Sequence, residues 1–96
     1  MDRSADETIL TLVRRAAEQV PQVLAIEKLA VRKTGLGYQA VIHVQAAPQM
    51  PLHDAHALGG QVKGAIRAAV PQVQFVLVHM EPFETPATKA APIFQA

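Results

Sequence analysis

Four histidines, His43, His53, His56 and His79, all fall between Tyr38 and Met80, and Glu81 follows two residues after the last of them. Imidazole nitrogens and carboxylate oxygens are the donors that hold divalent cations in proteins. His79 and Glu81 are two apart in a strand-like run, so they share a face and offer one nitrogen and one or two oxygens. His43 lies in Tyr-Gln-Ala-Val-Ile-His-Val-Gln, on the face of Gln39, Val41 and Gln45, opposite Tyr38, Ala40, Ile42 and Val44. His56 stands at the start of a helix, one position off its apolar stripe, and His53 is one turn earlier. Asp54 beside His53 also suits a helix N-terminus by charge alone. Each residue has a plainer reading: a solvated strand end for His79 and Glu81, a packed or hydrogen-bonded histidine for His43, a surface residue for His56.

The chain contains no cysteine. That removes disulfides, thiolate metal sites and a cysteine nucleophile together. A nitrogen and oxygen donor set without sulfur suits Zn²⁺ and is compatible with Mn²⁺, Fe²⁺, Ni²⁺ and Cd²⁺. Imidazole must be neutral to ligate, so affinity should fall below about pH 6.5. Gly35 and Gly37 lack the lysine and following helix of a phosphate loop and read as a hairpin turn. Ser4 is the one serine, and with Glu7 three residues on it has the spacing of a helix capping box. No serine–histidine–acid order and no general acid stand out, so an enzyme is not expected.

These residues need elements to position them. Ile9, Val13, Ala16, Ala17 and Val20 recur at helical spacing, which predicts a helix over about 5–20, stopped by Pro21. Residues 23–32 are strand-like. The glycine-bearing turn at 33–37 predicts a hairpin into a second strand, 38–46. A second helix starts near Leu52, with Ala55, Leu58, Val62, Ala65, Ile66 and Ala69 as its buried stripe. Gly59, Gly60 and Gly64 weaken that helix and permit close approach to a sheet. Pro71 ends it, and 74–80 form a third strand.

The order is helix, strand, strand, helix, strand. A right-handed crossover makes strands two and three parallel, and the hairpin makes strands one and two antiparallel. The expected fold is α+β: a two-layer ferredoxin-like domain with a three-stranded mixed sheet and both helices on one face. The other face would leave apolar residues such as Val41 and Val76 to water, and a homodimer is the simplest cover.

At 96 residues, half of them hydrophobic and 18% charged, the chain suits one small globular domain. Residues 1–82 form that domain and 83–96, without periodicity, an expected mobile tail. The net charge of +1 gives no electrostatic case for nucleic acid or an anionic membrane. No run of 18 apolar residues and no signal peptide stand out, which makes the cytoplasm the expected location.

The element order, the Arg-Lys-Thr-Gly turn, the Ile-His-Val strand, the Pro-Leu-x-x-Ala-His helix start and the closing Val-His-Met-Glu-Pro together resemble the cytoplasmic C-terminal domain of cation diffusion facilitator metal transporters. The likeness covers roughly Ala5 to Pro82. It implies a V-shaped cytoplasmic homodimer that binds divalent metal, often zinc, and tightens on binding to regulate an attached membrane domain. It carries the ligand roles to His43, His56, His79 and Glu81, where aspartate is common in the last place. A histidine that some members have on the first strand corresponds to Glu27, which makes Glu27 a further ligand candidate. His53 has no counterpart and is an auxiliary candidate. Transmembrane helices are missing from this sequence, so this polypeptide alone is not expected to move an ion across a membrane. The alternative is a metal-independent dimerisation or protein-interaction module; a small-molecule-binding regulatory module is the third.

Overall fold

Burial of one stripe per helix against one face of a sheet organises the protein. The computed structural model describes residues 3–85. The elements are α1 (Arg3–Glu18), β1 (Ala25–Lys33), β2 (Tyr38–Ala46), α2 (Leu52–Ala69) and β3 (Val73–Pro82). Ile9, Val13 and Ala17 of α1 and Leu58, Val62 and Ile66 of α2 are buried. They meet Ala40, Ile42 and Val44 of β2 and Val73 and Val76 of β3 in a single core cluster. Helical spacing on one layer and alternation on the other produce this match.

The sheet order is β1-β2-β3, with β1 antiparallel and β3 parallel to the central β2. The mixed α-β-β-α-β arrangement follows the expected fold. In the β1–β2 turn, Thr34 N–H donates to the Gly37 carbonyl at 2.8 Å. Gly37 is required by close approach: a Cβ there would lie 2.6 Å from the Gln72 carbonyl oxygen. The adjacent Tyr38 N–H donates to that same oxygen at 2.9 Å, and the Tyr38 hydroxyl reaches Asp6 of α1 at 3.0 Å.

Two register shifts decide which side chains reach the open sheet face. Ile26 pairs with Val44 and Lys28 with His43, so Glu27 is an extra residue on β1. Tyr38 pairs with Val73 and Gln39 with Phe75, so Gln74 is an extra residue on β3. Val73 is buried. Uninterrupted alternation from it would turn Phe75, Leu77, His79 and Glu81 into the core; the extra residue reverses the parity. Val76 is therefore buried, not left to water as expected, and Phe75 and Leu77 are exposed in its place.

Other differences are small. The first helix begins at Arg3, which puts Ser4 inside its first turn and not at a cap. Ala69 is exposed although the helical stripe includes it. Gly59 faces the sheet, where a Cβ would contact Met80 and Val78 at 3.5–3.8 Å, whereas Gly60 and Gly64 face open space. Beyond β3, the Phe83 N–H still donates to the Ala46 carbonyl at 2.8 Å; residues 86–96 of the expected tail lie outside the described residues. No helix among the described residues is long and apolar enough to cross a membrane.

Candidate metal centre

The second half of β2 and the end of β3 run side by side, with His43 in register with His79, and Gln45 with Glu81. All four face away from the helices. The extra residue on β1 adds Glu27. One ligand atom from each of Glu27, His43 and Glu81 lies within 4.8 Å of the others. His43 Nδ1 and Glu81 Oε2 are 2.6 Å apart, with the two side chains 25% and 29% exposed.

That distance has a chemical meaning. At 2.6 Å the two atoms share a proton in a charge-assisted hydrogen bond. Two ligands of one tetrahedral zinc, each about 2.0–2.2 Å from the ion, sit about 3.4 Å apart. A cation held by this pair would take the place of the shared proton, with the two ligand atoms under an ångström farther apart. Glu81 also forms a side-chain hydrogen bond with Glu27. Two carboxyl groups in such contact need a proton or a cation between them. The residues present thus fit a divalent ion in donor type, number and spacing.

Glu81 is held below the usual glutamate range. The largest cause is the hydrogen bond with His43, followed by the one with Glu27; burial works in the opposite direction, and the positive charges of His43 and His79 add to the lowering.

The remaining candidates are distributed differently. The His79 ring stacks on His43 with centroids 4.5 Å apart and planes 24° from parallel. It fixes the His43 ring from one side and borders the cluster without converging on it. His56 lies in the other layer. It is exposed at the edge of α2, in a groove with Gly59, Gly60, Lys63, Leu77, Val78 and Met80. Within one protomer His56 and His43 lie in different layers: α2 covers the Val78 and Met80 side of β3, and His43 is on the opposite side. His53 is 95% exposed and meets its neighbour Asp54 at 3.5 Å. Within one protomer the cluster consists of Glu27, His43 and Glu81, with His79 beside it.

Sequence reasoning passed over Gln45. Strand alternation puts it on the His43 face, and that was the available signal. It is 8% exposed and lines a cavity of about 240 Å³ with Glu27, Glu81, Pro82 and Glu84.

The structure is thus an open-faced α+β layer pair that carries a cluster of nitrogen and oxygen side chains able to hold a cation. Residues 5–83 match the family model of the cytoplasmic domain of cation efflux proteins; the chain belongs to that family. No curated protein sequence matches the chain. Among solved structures it is similar to a doubly substituted MamM C-terminal domain, with TM-score 0.82 and 23% identity over 85% of this chain and 99% of that one. It is also similar to a nickel form of a substituted MamM C-terminal domain, with TM-score 0.78 and 24% identity over 81% and 99% of the two chains. A manganese form gives TM-score 0.77 and 22% identity over 80% and 98%. At these identities the structural likeness establishes the fold.

Proposed function

We propose that this domain is a divalent-metal-responsive homodimeric regulator of cation efflux, acting in the cytoplasm and tightening its dimer when Glu27, His43 and Glu81 hold an ion. Zinc heads the list because the donors are nitrogen and oxygen in a compact group. The observation that carries the reading is the convergence of three ligand atoms from three strands within 4.8 Å. His79 supports the site by stacking on His43. His56 and His53 are left out of the intramolecular set. The domain regulates and does not catalyse. Its membrane partner is the transporter part that the family context implies.

Titration calorimetry with Zn²⁺ near neutral pH tests this directly. The native protein should bind, with release of a proton. The double variant His43→Ala with Glu81→Ala should lose binding by at least about 100-fold, since two of three protein ligands go. Equal binding by native and variant protein would remove the assignment.

A second reading, dimerisation without metal, draws on Phe75 and Leu77, which are 53% and 43% exposed on the same open face. It predicts the same dimer by sedimentation with chelator and with zinc, and no rise in melting temperature on adding metal.

A further inference from the structure

Gln45 is a buried amide whose surroundings are acidic. It is 8% exposed, and its carboxamide makes no hydrogen bond among the described residues. Among the described residues, however, no side-chain polar atom is both sealed from solvent and unpartnered. The polar atoms of the Gln45 side chain therefore reach solvent, and Gln45 lines a cavity together with Glu27, Glu81 and Glu84. Two of those carboxylates belong to the cluster with His43.

We infer that Gln45 supplies its carbonyl oxygen to the same ion, with Glu84 at the rim of the cavity, and that this oxygen side sets which ion the domain prefers. The inference rests on the metal-binding reading above. Glu27, His43 and Glu81 alone, with water, make a four-coordinate site of the kind zinc favours. Adding an amide oxygen raises the available coordination number and the share of hard oxygen donors. Ions that take six ligands with oxygen among them, Mn²⁺ foremost, gain from that, and Zn²⁺ gains little. An amide is suited to this place: it donates an oxygen without adding a further negative charge to a pocket that already holds three carboxyl groups.

Calorimetry with Mn²⁺ and with Zn²⁺ on native protein, Gln45→Leu and Gln45→Glu separates the possibilities. Removing one oxygen donor should weaken Mn²⁺ about tenfold or more and leave Zn²⁺ within about twofold. Gln45→Glu keeps an oxygen in place and should keep Mn²⁺ binding at the native level or better, which a packing role for Gln45 would not explain. Co²⁺ gives a readout independent of affinity: weak visible absorption in native protein, as for five or six ligands, and stronger tetrahedral bands in Gln45→Leu. Should Gln45→Leu fail to fold by circular dichroism, the rim variant Glu84→Gln should show the same selective loss of Mn²⁺. Equal losses for both ions, no loss for either, or unchanged Co²⁺ bands would overturn the inference while leaving metal binding intact. Failure of native protein to bind either ion would overturn both.

Discussion

Glu81 meets His43 and Glu27 at once, and its pH behaviour should show it. Hydrogen bonds with His43 and then Glu27 hold its carboxyl below the usual range. The folded-state pKa thus lies below that of the unfolded chain, so the unfolded state binds more protons in acid. The stabilisation is fully present above the ordinary glutamate range and is lost as pH falls through the lowered Glu81 value. Native protein should therefore lose stability to urea between mildly acidic and strongly acidic pH more steeply than Glu81→Gln, which has no proton to take up at that position. Parallel pH profiles for the two would show that the 2.6 Å contact with His43 does not persist in solution. At this scale two-residue alternation made the His79 and Glu81 pairing on one face of β3 legible, but only the extra residue at Gln74 turns that face to the side of His43. Glu27 was reachable only through family likeness. Its place depends on one extra residue in β1, and such an insertion leaves no mark in composition. His56 entered through family likeness alone, and within one protomer it lies in the layer opposite His43.

The elements show the same limits. Strand β2 appears at its expected bounds, since glycines and prolines flank a clean alternation. The extra residue at Gln74 was not visible, and it alone exchanges Val76 for Phe75 and Leu77 on the open face. Glycines separate into those the packing requires and those it does not. At Gly37 a Cβ would meet the Gln72 carbonyl at 2.6 Å, and that oxygen already accepts from Tyr38. The β1–β2 turn and the start of β3 would have to part. Gly37→Ala should destabilise by about 1–3 kcal/mol, as overpacking does. Gly60 sits in the interior of α2 with open space around it. Gly60→Ala should stabilise by about 1 kcal/mol, because alanine loses less conformational freedom in a helix. Urea unfolding of the two variants reads both signs in one experiment. Equal and small effects would mean that the turn does not approach β3 so closely.

For the whole molecule, the ion cluster and the exposed apolar residues occupy the same open sheet face: Glu27, His43, His79 and Glu81 at one end, Val41, Phe75 and Leu77 toward the other. A second copy covering the apolar part would also approach the cluster. Burying Leu77 in such an interface is worth about 1.5–3 kcal/mol, so Leu77→Glu should raise the dimer dissociation constant by roughly tenfold to a hundredfold. The fold should survive, because Leu77 is 43% exposed and outside the core cluster. Sedimentation at several concentrations, with Zn²⁺ and with chelator, measures the change. Coupling between metal and dimer is reciprocal by linkage: whatever factor Zn²⁺ adds to dimer affinity, dimerisation must add to Zn²⁺ affinity. Monomeric Leu77→Glu should therefore bind Zn²⁺ more weakly than the native dimer, although the substituted side chain is no ligand. The loss should match the factor by which Zn²⁺ tightens the native dimer. Native-level Zn²⁺ affinity in a confirmed monomer would show that the ion is held wholly within one protomer and does not report to the other.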